Sequence, residues 1–200
     1  MSGTFPTTNF KSMNWQSNNN IVTTETLTNK VFSKDIGGHY WSLTLKSTAL
    51  TRSDFDPVWA FLVQQKGSFD TFTLVPPDIS STKGTFSNSS GTNLPIASSA
   101  SEGATSVFVT PSGSGTLKTG DLIKFANHDK VYILTSDVTL SNAVTAQLDI
   151  FPGLNVALTG GVNSTTENVP MKVRLNNDVQ TYKTDINNVF DYEIDVRESL

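Results

Sequence analysis

Between Tyr40 and Val75 a strand, a capped amphipathic helix and an aromatic strand follow one another almost without slack, and that order dictates much of what this chain can become. Trp41, Leu43 and Leu45 alternate with Ser42, Thr44 and Lys46, the period of a strand with one buried face. Ser53 or Asp54 stands where an N-cap belongs, and Asp56 sets negative charge against the positive end of the helix. Pro57 fits a first turn whose N–H groups lack intrahelical partners. Phe55, Val58, Trp59, Leu62 and Val63 recur at helical spacing and so share a face, which Lys66 and Gly67 close. Phe69, Phe72 and Leu74 lead into Pro76-Pro77, which stops their strand. Nearly everything else reads as β, so this single helix must pack on a sheet.

Composition narrows the function classes. A chain of 200 residues can hold one large or two small domains, with a radius of gyration of about 16 Å if compact. Zero Cys excludes disulfides, thiolate zinc sites and Cys nucleophiles together, so stability must come from burial or assembly. The net charge is −4, the pI is near 5.0, and no two Lys or Arg residues are adjacent, which argues against a nucleic-acid groove. No run has the length of a signal-peptide core or a membrane span. The arm from Met1 to Asn20 carries Phe5, Phe10, Met13 and Trp15 among Ser, Thr and Asn, more apolar bulk than a solvated tail needs. It is expected to dock on its own domain or on a neighbouring subunit.

Residues 21–33 are rich in β-branched side chains and read as one long or two short strands, with Gly37-Gly38 as the turn before Trp41. A Ser/Thr/Asn/Gly-rich stretch from Ser80 to Gly103 reads as a linker or loose loop. Short strands then resume at 106–110, 122–125, 131–135, 144–150 and 156–158, about the number for a small barrel or compact sandwich. After a second polar spacer, Met171, Val173 and Leu175 alternate with cations, and Phe190, Tyr192, Ile194 and Val196 alternate with Asp191, Glu193 and Asp195. These two strands belong with the N-terminal helix. The expected fold is mainly β: residues 1–85 and 166–200 form a β-sandwich with one packed helix, and residues 86–165 form an inserted small β-barrel-like module. Trp41, Trp59, Leu62, Phe72, Val173, Leu175, Tyr192 and Ile194 are the expected sandwich core.

Candidate chemistry is thin, and each candidate has a plainer structural explanation. His39 and His128 both sit at turns, with no nucleophile or orienting acid at a useful spacing. The run Gly113-Ser114-Gly115-Thr116-Leu117-Lys118-Thr119 superficially follows a phosphate loop, but Leu117 replaces the glycine before the lysine and no long helix follows. Asp191, Glu193 and Asp195 share a strand face, as glycosidase carboxylates might, and equally as the charged face of any amphipathic strand does. Asp121, Asp129, Asp137 and Asp149 lack the alternating ligand spacing of a calcium loop. Trp41, Trp59, Phe69 and Phe72 fit a core better than a sugar platform. No catalytic, cofactor-binding or metal-binding residue is expected.

The run from Thr51 to Leu62, then Gly67 to Phe72 and Pro76-Pro77, resembles the strand-helix-strand unit of tail-tip structural proteins of tailed bacteriophages. Leu117 to Phe125 followed by Lys130-Val131-Tyr132 resembles their inserted module. The family is the distal tail proteins, and the resemblance covers most of the chain after Gly37. It implies a β-sandwich with a helix whose copies form a ring, typically of six, at the tail tip of the virion, joining the tail tube protein to the hub or baseplate. It also implies a variable module facing outward. The expected protein is a structural, non-enzymatic subunit; the alternative is an adhesion module that binds host glycan or anchors a receptor-binding protein. Neither a membrane nor a specific nucleic acid is an expected partner.

Overall fold

The computed structural model describes residues 3–6, 9–86, 94–185 and 187–200. In chain order its elements are β1 (Phe10–Asn18), β2 (Ile21–Glu25), β3 (Val31–Asp35), β4 (Tyr40–Ser47), α1 (Arg52–Gln64), β5 (Phe72–Leu74), β6 (Ser106–Val109), β7 (Gly115–Leu117), β8 (Leu122–Phe125), β9 (Val131–Leu134), β10 (Val138–Leu140), β11 (Ala146–Phe151), β12 (Ser164–Thr165), β13 (Met171–Leu175), β14 (Tyr182–Thr184) and β15 (Phe190–Glu198). The fold is mainly β with one helix, as expected. Contacts divide the chain into residues 1–72 with 173–199, and residues 73–172 with Leu200.

In the first unit β4 and β15 lie side by side in a sheet of order β1-β4-β15-β13-β5, with β14 also paired to β15. Alternation makes the core: Trp41, Leu43 and Leu45 from β4 and Tyr192, Ile194 and Val196 from β15 are buried, as are Phe55, Val58 and Leu62 of α1. Each such side chain withdrawn from water contributes about 1.5–3 kcal/mol before entropy is counted. Phe55 stacks on Phe190 at 4.8 Å, and Phe61 meets Phe5 at 5.7 Å and Phe72 at 5.4 Å, both edge to face. Of the expected core, Trp59 is half-buried, set against Phe55 and Tyr182, and the other seven are buried.

Several local expectations need correction. The N-cap is Thr51, earlier than Ser53 or Asp54; its hydroxyl donates to the Asp54 carboxylate at 2.7 Å and caps no backbone N–H. Pro57 therefore lies beyond the first four orphan donors and leaves the Ser53 carbonyl without its helical partner, which is tolerated because both residues are exposed to water. Val63 is 55% exposed, because Phe61 packs towards Phe5 and Phe72 and turns Val63 away. Phe69 is 77% exposed in the turn after the helix, so the aromatic strand begins only at Phe72. The N-terminal arm docks on its own unit: Phe5 is buried, and β1 pairs with β4 from Phe10 to Asn18.

In the second unit a five-stranded sheet of order β12-β8-β9-β11-β6 faces a core that includes Phe125, Tyr132, Leu148 and Ile150, with β7 and β10 paired beside it. The named strands close no barrel. Residues 95–97 instead link the two ends of the sheet: Thr110 N–H donates to the Pro95 carbonyl and Ala97 N–H to that of Phe108 on one side, and Ile96 N–H donates to that of Val162 on the other. The expected linker is thus largely structural, since Phe86, Leu94 and Ile96 are all buried in this core. Single apolar residues among Ser and Thr carry no period, which hid them. Asn88-Ser89-Ser90-Gly91 lies outside the described residues. The expected strand at 156–158 is a lone bridge between Leu158 and Ala100.

Candidate assembly surface

The chemical candidates are engaged separately. His39 is 9% exposed, 2.9 Å from the Ser17 hydroxyl and edge-on to Trp41 at 4.5 Å. His128 sits between the Asn127 side-chain carbonyl at 2.6 Å and the Tyr132 hydroxyl at 2.7 Å. The Tyr132 oxygen also accepts the Asn155 N–H at 3.0 Å. Burial lowers the pKa of His128, and Lys124 lowers it further.

The phosphate-loop look-alike holds acids instead of phosphate. Residues 115–117 are β7, the Lys118 N–H donates to Asp121, and Asp137 takes the Thr119 N–H and the Lys118 ammonium, each at 2.8 Å. Those donors, led by Lys118, bring the Asp137 carboxyl down to about 2. Asp129 bridges Lys124 and Lys172, both at 3.0 Å. Burial pushes its carboxyl up, and the two lysines outweigh that and hold it below the usual value. Asp149 accepts from Ser136 and Gln147. The four aspartates are not brought together, and among the described residues no three His, Asp or Glu side chains are grouped to hold a metal ion.

On the outer sheet face Glu193 pairs with Lys46 at 3.2 Å, and Asp195 accepts from Thr44 at 2.6 Å and Asn177 at 3.2 Å. Asp191 and Glu193 line a cleft of about 420 Å³ with Lys11, Lys46, Tyr182 and Lys183. Its walls carry both signs of charge, so it selects no ligand charge.

The feature left over is the long hairpin. The ladder between β1 and β4 continues past Asn18↔Tyr40 into the ladder between β2 and β3 at Ile21↔Asp35. Residues 19–20 face the longer stretch 36–39 across that junction, and Gly37 and Gly38 absorb the difference at φ 83° and 81°. These glycines do not reverse the chain, contrary to expectation. The reversal is at 26–30, where Thr26 N–H donates to the Lys30 carbonyl and Asn29 takes φ 58°. The near half of the hairpin joins the core through β4, where Trp41, Leu43 and Leu45 are buried and Trp15 packs on Trp41 at 5.1 Å. Every residue of β2 and β3 is exposed, including Ile21, Val22, Val31 and Phe32. The signal in the sequence was Ile21-Val22 and Val31-Phe32, where adjacent apolar residues place one on each face of a ribbon.

Residues 85–169 match the family described as the B domain of distal tail protein pb9. Over 201 aligned residues the chain is 22% identical to the distal tail protein pb9 of Escherichia phage T5, covering 98% of this chain and 95% of that protein. The chain is thus similar to a phage distal tail protein over nearly its whole length, and to that family's B domain over residues 85–169. A distal tail protein is a structural component of the virion tail, and the matched span contains all the residues of the five-stranded module sheet.

Proposed function

We propose that this protein is a ring-forming subunit at the tail tip, joining the tail tube to the hub or baseplate, with six copies as the expected ring. The observation that carries the reading is the distal hairpin, whose two outer edges and both faces are exposed. A long strand edge with apolar side chains and few charges is a surface that proteins protect unless something pairs with it. Across β1 and β2 the only charged residues are Lys11 and Glu25. Head-to-tail association of identical copies closes into a ring when the rotation per copy allows.

A structural, non-catalytic role accords with candidate side chains that are held apart by partners of their own. Residues 86–165 are proposed as an inserted module that faces away from the ring. Light scattering on the purified protein across a concentration series, followed by electron microscopy of the largest species, tests the reading. Rings are expected; a protein that stays monomeric alone and with tube and hub proteins present would overturn it.

A further inference from the structure

The hairpin's two faces differ in charge. Directly opposed residues share a face in an antiparallel ladder, so Val22, Thr24, Phe32 and Lys34 form one face, and Ile21, Thr23, Glu25, Val31, Ser33 and Asp35 form the other. The first is apolar with a single cation. The second carries two carboxylates.

The same unit also exposes apolar side chains in the last turn of α1, in the turn that follows it and on the segment bonded to that turn. Val63, Phe69 and Val179 are 55%, 77% and 77% exposed. Phe69 and Val179 belong to two segments locked together, because Asp178 accepts both the Ser68 N–H at 3.0 Å and the Ser68 hydroxyl at 2.6 Å. Gly67 is required there: a Cβ on it would come within 2.8 Å of the Asp178 backbone. Those bonds from Ser68 lower the pKa of Asp178 and keep it ionised. Asp178 and Asp70 stand beside Val179 and Phe69 in sequence and bring two carboxylates to this region, with Lys66 the cation nearest in sequence.

We propose that the Val22/Phe32/Lys34 face of the hairpin docks on Val63, Phe69 and Val179 of a second copy of this chain. Two different apolar sites on one unit allow a head-to-tail contact that propagates, whereas a two-fold contact would exchange the same two sites reciprocally and close at a dimer. Charge selects the face: Lys34 is drawn to the two carboxylates, whereas Glu25 and Asp35 on the other face are repelled from them. The inference rests on the ring reading and names the contact that builds the ring.

The cysteine-free chain makes the test clean. Phe32→Cys protein is mixed with Phe69→Cys protein, and separately with Val179→Cys protein, under mild oxidation. All three sites are exposed, and circular dichroism checks that each variant folds. A disulfide-linked pair is expected in at least one mixture and in no single variant alone, and a chain carrying both substitutions of that pair should give a ladder of multimers. In parallel, Lys34→Glu should weaken assembly about tenfold, a loss of about 1.4 kcal/mol, while Glu25→Lys leaves it unchanged. Rings from the unmodified protein with no cross-link in either mixture would overturn this contact and leave the ring reading standing. Self-linking of Phe32→Cys would replace it with a two-fold contact, and a strictly monomeric unmodified protein would overturn both readings.

Discussion

The distal hairpin and the second unit use much the same residues, β-branched side chains in strands of two to six residues, with opposite results. In the module, alternation meets a second layer, and Phe125, Tyr132, Leu148 and Ile150 lose nearly all their exposure. In β2 and β3 nothing is buried. Backbone pairing therefore makes a strand in both places, but only burial makes a fold, and an isolated two-stranded ribbon is marginal in water. The second unit buries its strands within itself, whereas β2 and β3 are left exposed.

The largest contrast comes from truncating one phenylalanine in each region. Phe125→Ala removes a fully buried ring packed 5.4 Å from Tyr132 and should cost roughly 3–5 kcal/mol in urea unfolding. Phe32→Ala, at a 61% exposed site, should change the stability of the dilute protein by no more than about 0.5 kcal/mol and show instead as lost assembly. A large loss of stability from Phe32→Ala in dilute protein would mean that the hairpin is already covered within one copy.

Glycines sharpen the same comparison. A Cβ at Gly84 collides with the Thr116 carbonyl where the chain crosses β7, so Gly84→Ala should cost about 1–3 kcal/mol by forcing backbone apart. At Gly37 nothing lies within 4 Å, and Gly37→Ala should cost only the strain of φ +83°, roughly 1–2 kcal/mol. Thermal unfolding of the two variants separates steric from conformational cost.

Acid should act on the module in two windows. His128 has a folded pKa below its ordinary 6.5, so the unfolded chain binds the extra proton first. Its contribution is whole above pH 6.5 and falls as pH drops through the lowered value. The Asp137 contribution is whole above 3.8 and falls as pH drops towards about 2. His128→Gln should flatten the upper window of a pH-stability profile and leave the lower one; an unchanged upper slope would mean that another group titrates there.

Patterns with a long period were legible in the sequence. β4 and β15 alternate over eight or more residues, and their buried faces were readable residue by residue; in α1 the helical period gave Phe55, Val58 and Leu62 correctly but not Val63, which is exposed. β7, β10, β12 and β14 were missed because two or three residues hold no period. β1 was missed because Met13 and Trp15 stand among polar neighbours and are only half-buried. The assembly surface was hidden for another reason. Ile21-Val22 and Val31-Phe32 satisfy every local rule for a strand, and exposure follows from what does not pack on them, which a single chain's sequence does not encode.

The smallest effect sets the floor of the comparison. Lys46 and Glu193 pair across β4 and β15 with side chains 55% and 51% exposed. Water and salt screen such a pair, and ordering two long side chains offsets most of the attraction, so Lys46→Ala should change stability by less than about 1 kcal/mol and fade with added salt. Lys34 is equally a surface lysine on a strand, and on the isolated chain Lys34→Glu should be as quiet. The two separate only when copies meet: Lys46→Ala should leave the assembly midpoint in place, whereas Lys34→Glu moves it. If both variants shift assembly alike, the effect is one of net charge on a surface near neutrality, and the hairpin face loses its claim to be the contact.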